Sequence, residues 1–124
     1  MPWVQQFEEA VAKKFGMKYA IACNSGTSGL HMAMVAIGLG PGDEVITQAF
    51  TFIATAEAII DIGAKPVFVN IDETLIEPLI TEKTKAIVAV HYAGVACEME
   101  TIMDIANRYK IYVIEDAAQG VNAT

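Results

Sequence analysis

Basic residues are scarce in this chain. Eight Lys and Arg stand against fifteen Asp and Glu in 124 residues, for a formal net charge of −7. A chain so poor in positive charge cannot track a phosphate backbone, so nucleic acid is not an expected partner. Cysteine is nearly absent. Cys23 and Cys97 are too few for a disulfide framework; they fit a reducing compartment, where both are expected as buried thiols. No apolar run approaches the roughly 20 residues of a membrane span, and Met1-Pro2-Trp3 lacks the basic start and apolar stretch of a signal peptide. The expectation is a soluble, cytoplasmic chain with no membrane partner. Neither GxGxxG nor GxxxxGK[ST] occurs, so the usual nucleotide fingerprints are missing. No histidine has a second ligand at metal spacing, and no metal is expected. Repeats, low-complexity segments and linkers are also absent.

What remains is an apolar chain. Hydrophobic residues make up 54% and charged residues 19%, enough to bury a core of one domain's size. Residues 5–15 carry Phe7, Ala10, Val11 and Phe15 at helical spacing, closed by Gly16. "YAIAC" (19–23) reads as a buried strand, and "SGLHMAMVAIGL" as a helix apolar nearly all round and therefore buried. "GPGDE" is a turn. "EVITQ" is a strand, "ATAEAIIDIG" a helix stopped by Gly63, and "KPVFVNI" a strand with Pro66 at its mouth. Pro78 limits "ETLIEPLI" to a short or kinked helix. "KAIVAVHY" is a strand, "GVACEMETIMDIANRYK" contains a helix, and "IYVIEDA" is the last strand. Five strands thus alternate with helices, each a continuous apolar run. That pattern predicts an α/β fold of three layers, a mostly parallel sheet with helices on both faces.

Right-handed crossovers put the C-terminal ends of parallel strands on one edge, where open α/β sheets bind ligands. The residues just past the strands are Asn24-Ser25-Gly26-Thr27, Gln48 to Phe52, Asn70-Ile71-Asp72, His91 to Gly94 and Glu115 to Gln119. Together they suit a planar, charged, phosphorylated ligand. A helix starting in Gly26-Thr27-Ser28-Gly29 offers unpaired amides and a positive dipole end to a phosphate. The same residues also suit an ordinary βα turn capped by Ser25 or Thr27. Asp116 ends a buried strand and needs a partner, either a helix N-terminus, a lysine or a protonated ring nitrogen. Glu115 should face the other side of the strand. Of Phe50 and Phe52, one could cover a flat ring. His31, on an apolar helix, reads as core or interface.

Five blocks, "FGMKYAIACNSGTSGLHMAM", "GDEVITQAFTFIATAEAI", "GAKPVFVNID", "AIVAVHYAG" and "YVIEDAAQ", resemble in order the N-terminal part of the large domain of the DegT/DnrJ/EryC1/StrS sugar aminotransferases. These are pyridoxal-phosphate (PLP) enzymes of fold type I. The segment from Val90 to Val121 looks most like the dTDP-4-amino-4,6-dideoxygalactose transaminases. The resemblance implies that Gly26 and Thr27 hold the PLP phosphate through their amides. It implies that Phe52 stacks on the ring, Asp116 pairs with the ring nitrogen, and Gln119 partners the ring hydroxyl. His91 matches a family histidine at the cofactor edge. The reaction implied moves an amino group from an amino acid, glutamate in the first instance, onto a keto-deoxysugar nucleotide, as in the building of cell-surface polysaccharides. A homodimer is expected on the same ground.

The chain departs from the family's pattern in its extent. The Schiff-base lysine of the family lies in a segment beyond the "EDAAQ" block and is expected past Thr124; none of the lysines here matches it. Residues 1–124 are therefore expected as a single partial domain, lacking its last strands and the small C-terminal domain, and inactive alone. Strand 19–23 would then lack a neighbour, with apolar edges exposed. Two other readings stay open: a module that binds a phosphorylated ligand without turnover, and a dehydratase of the same family.

Overall fold

The computed structural model describes residues 2–70 and 72–121. Four helices and four strands follow in order, with only 3-10 turns between β2 and β3: α1 (Pro2–Phe15), α2 (Gly26–Ala36), β1 (Glu44–Gln48), α3 (Ile53–Asp61), β2 (Lys65–Val69), β3 (Thr84–Val90), α4 (Met99–Tyr109) and β4 (Tyr112–Asp116). The strands form one parallel sheet in the order β2-β1-β3-β4. The α/β class with helices on both faces is as the continuous apolar runs indicated.

Each face has its own core. Leu30 and Met34 of α2 and Ala58 and Ile59 of α3 pack with Val45, Ala86 and Val88 on one side. Ile102, Ile105 and Ala106 of α4 pack with Ile46, Ile87 and Ala89 on the other. Alternate residues of β1 and β3 therefore feed opposite cores, as a period of two requires. Burial of each large aliphatic chain contributes about 1.5–3 kcal/mol over exposure. β1 lies between β2 and β3 and is buried at every position.

Several expectations need correction. Residues 19–23 form no strand, so the sheet has four strands and not five. A strand exists by pairing, and this segment has no strand partner among the described residues: Tyr19 and Ile21 are 73% and 77% exposed. The Ala22 N–H donates to Glu8 Oε1 at 2.7 Å. Helix α2 is not buried all round; Leu30 and Met34 are covered, whereas Met32 and Val35 are exposed. Neither thiol is fully buried, Cys23 being exposed and Cys97 half-buried. The "ETLIEPLI" segment makes two 3-10 turns, Glu73–Leu75 and Glu77–Leu79, with Pro78 in the first turn of the second, where its missing N–H costs little. The third predicted strand ends at Val69, short of the expected 71, and α1 begins at Pro2 instead of Gln5. Gly16 and Gly63 do end their helices, at φ +65° and +78°.

Candidate cofactor site on the C-terminal edge of the sheet

The connection from β1 to β2 runs one way across the sheet and that from β3 to β4 the other, so the winding reverses between β1 and β3. The crevice expected there is bridged. Gln48, at the end of β1, accepts the Val90 N–H through Oε1 at 2.6 Å, while its Nε2 lies 3.5 Å from Cys97 Sγ. Cys97 Sγ in turn donates to the Val90 carbonyl at 3.2 Å. Burial pushes the Cys97 thiol above its ordinary range, which keeps it a donor here.

The open cleft lies one strand over. It holds about 220 Å³ between the first turns of α2 (Gly26, Gly29, Leu30, Ala33) and the end of β4 (Ile114 to Ala118). Ser25 is the N-cap of α2: its Oγ accepts the Ser28 N–H at 3.1 Å, and its carbonyl accepts the Gly29 N–H. The amides of Gly26 and Thr27 have no acceptor among the described residues. Nothing stands within 4 Å of where a side chain at Gly26 would begin. The N-cap reading and the anion-cup reading of this turn are thus compatible: Ser25 satisfies one amide and two remain for a ligand.

Asp116 faces this cleft with its carboxylate already held. Oδ2 accepts the Thr55 hydroxyl at 2.8 Å, and Oδ1 accepts the Ala118 N–H at 3.2 Å. Thr55 is buried in the first turn of α3, and its Oγ1 also lies 3.0 Å from Thr51 Oγ1. Glu115 points to the opposite layer, where Oε2 meets His91 Nε2 at 3.0 Å. The two adjacent acids therefore separate as strand geometry demands.

The structure brings Gly26 and Asp116 to one cleft, with Thr27 the next residue of α2 and not itself in the lining, and it distributes the other candidates around it. Phe52 caps α3 with its ring 71% exposed. Phe50, the other aromatic of that turn, packs against Tyr92 at 4.5 Å between ring centres. Gln119 is exposed, and its Oε1 accepts the Ala93 N–H at 2.8 Å, which leaves its NH₂ free to donate. His91 is 5% exposed and fully engaged: Nδ1 accepts the Cys97 N–H at 3.2 Å, so Nε2 carries the proton toward Glu115. Sequence reasoning missed Thr55, which reads as one more small residue of a buried helix. Two threonines four residues apart at a helix start on the ligand edge were the available signal.

A parallel α/β domain with an amide-lined helix start and a strand-end aspartate in one cleft belongs among phosphorylated-cofactor folds. Comparison with known proteins narrows this. Residues 2–124 match the DegT/DnrJ/EryC1/StrS aminotransferase family, and the chain belongs to that family. It is 48% identical to a GDP-perosamine synthase of Caulobacter vibrioides, over 98% of this chain and 35% of that protein. It is 45% identical to a UDP-4-amino-4-deoxy-L-arabinose–oxoglutarate aminotransferase of Shewanella sediminis, over 97% of this chain and 33% of that protein. NtdA from Bacillus subtilis, solved with its cofactor PMP bound, superposes with a TM-score of 0.96 at 41% identity, covering 100% of this chain and 30% of NtdA. The chain spans about a third of the length of the curated relatives it matches.

Proposed function

We propose that these residues form the cofactor-binding part of a PLP-dependent nucleotide-sugar aminotransferase. The observation that carries the reading is the cleft that joins Gly26, at the start of α2 where two amides are unpaired, to a strand-end aspartate held by two donors. A phosphate suits the first and a protonated pyridine nitrogen the second. The donor set fits the cofactor: Gly26 and Thr27 would hold its phosphate, and Asp116 would accept the ring N–H. Phe52 would lie on the ring face, and the free NH₂ of Gln119 would donate to the ring oxygen. His91, with both nitrogens committed, would orient the surrounding turns. When bound, PLP supplies an electron sink for the carbon undergoing amino transfer. The family's Schiff-base lysine would lie on a segment beyond Thr124.

The reaction class follows the family: an amino acid, with glutamate as donor, exchanges its amino group for the keto oxygen of a deoxysugar nucleotide. The oxoglutarate in the Shewanella relative's name supports glutamate. The finer reading, a dTDP-4-amino-4,6-dideoxygalactose transaminase, rests on the likeness of residues 90–121, and a cytoplasmic homodimer on the family's pattern and the composition. The test is PLP titration of the full-length protein that carries this chain, followed by visible absorbance and dialysis, with Asp116→Ala in parallel. Saturable binding that weakens in the variant is expected. Incubation with glutamate and a dTDP-4-keto-6-deoxyhexose should then yield 2-oxoglutarate and the amino sugar. A folded protein that takes up no PLP would overturn the reading.

A further inference from the structure

Asp116 can serve a ring nitrogen in two ways: as a carboxylate accepting N–H, or as a carboxylic acid donating to a neutral nitrogen. Which form holds depends on what else bonds its oxygens. Thr55 decides this. Its hydroxyl has one hydrogen and two acceptor sites. At 2.8 Å from Asp116 Oδ2 and 3.0 Å from Thr51 Oγ1, it can donate to the carboxylate and accept from Thr51. The order Thr51 to Thr55 to Asp116 points every hydrogen toward the acid. With the Ala118 N–H on Oδ1, each oxygen of Asp116 already receives a donor. Thr55 is 1% exposed, so no bulk water replaces its hydroxyl if it is removed. It stands 61 positions from Asp116 and on a different layer, so the bond also fixes the carboxylate's orientation relative to α3.

We propose that Thr55, fed by Thr51, is a positioning residue that keeps Asp116 an acceptor and so keeps the shared proton on the ligand's ring nitrogen. The inference rests on the PLP reading above. Hydrogen bonds to the charged form favour it; removing one destabilises the carboxylate relative to the acid. The carboxyl and ring nitrogen hold one proton between them, and it moves toward the carboxyl when the donor is lost.

The test uses the full-length protein that carries this chain, reconstituted with pyridoxamine 5′-phosphate labelled with ¹⁵N in the ring. The ring ¹⁵N shift at neutral pH reports whether that nitrogen is protonated. Wild type should show the pyridinium shift. Thr55→Val, of the same shape without the hydroxyl, should move it toward neutral pyridine, and Thr55→Ser should restore it. Should Thr55→Val not fold, Thr55→Ala gives the same reading. A pyridinium shift unchanged in folded Thr55→Val, while Asp116→Asn moves it, overturns the role of Thr55. A shift indifferent to Asp116→Asn overturns the cofactor placement itself.

Discussion

His91 Nε2 sits 3.0 Å from Glu115 Oε2 while the other ring nitrogen accepts the Cys97 N–H, so one buried imidazole ties the turn after β3 to the end of β4. The His91 N–H adds a third tie, to the Asp116 carbonyl at 3.1 Å. Replacing His91 with Leu keeps the bulk and strands the Cys97 N–H. The expected cost is about 1–3 kcal/mol, the usual penalty for an orphaned partner. Urea unfolding of His91→Leu should show it, with PLP affinity falling in step if the two turns frame the cofactor.

Gly120 lies directly on that imidazole. A methyl group at this position would come within 2.4 Å of the His91 Cβ, a contact no side-chain rotation relieves. Gly120→Ala should therefore destabilise by at least about 1–3 kcal/mol, the range for overpacking. Gly26→Ala meets open space within the chain and should leave the melting temperature nearly unchanged while obstructing a bound phosphate. Paired melts and PLP titrations of the two variants separate packing from binding.

The two thiols should differ in reactivity. Cys23 is exposed, whereas Cys97 is half-buried, donates to the Val90 carbonyl, and has its thiol pushed up by burial. Because the thiolate is the nucleophile, iodoacetamide at neutral pH should modify Cys23 faster than Cys97 by about tenfold or more. Mass spectrometry of a time course reads this directly, and equal rates would mean the Gln48–Cys97–Val90 bridge is open in solution.

Three acids are held low and make stability depend on pH: Asp72, bonded locally to Thr74, and two that tie distant parts of the chain. Glu44 is held below the ordinary carboxylate range by its hydrogen bonds from Lys65 Nζ and Thr81, and Glu77 by those from Arg108 and Tyr109. A carboxyl lowered in the folded state contributes stability above its unfolded value, near 4.5, and loses it as pH falls through the lowered folded value. Urea midpoints should thus drop on acidification below about pH 5, and Glu44→Gln and Glu77→Gln should each flatten that drop. A profile as steep in both variants as in wild type would assign acid sensitivity to other groups.

The two central strands were legible because a central parallel strand is covered on both faces and so reads as an unbroken apolar run, as in "EVITQ" and "KAIVAV"; the edge strands β2 and β4 kept apolar runs although they are partly exposed. Residues 19–23 carry the same composition and form no strand. Apolar composition reports that a segment seeks cover, while a strand requires a second backbone to bond. The apolar circumference of α2 misled in the same way, since Met32 and Val35 are left about half exposed. Within the site, Asp116 was legible because a carboxylate at a buried strand's end must be compensated. Thr55 was not, because its role exists only once α3 is laid across the sheet beside β4.

Helix α1 buries no residue, and it is tied to the following segment by the Glu8 carboxylate on the Ala22 amide and by the Met17 N–H on the Ala12 carbonyl. Cooperative protection against solvent requires shared buried contacts, and α1 shares few with the sheet. Its amides should exchange with deuterium at the pace of a nearly isolated peptide helix, while those of β1 and β3 wait for the whole sheet to open. In energetic terms the chain is two objects on one backbone, a cooperative four-stranded unit and a helix whose Trp3 and Phe7 gain order only when something apolar lies against them.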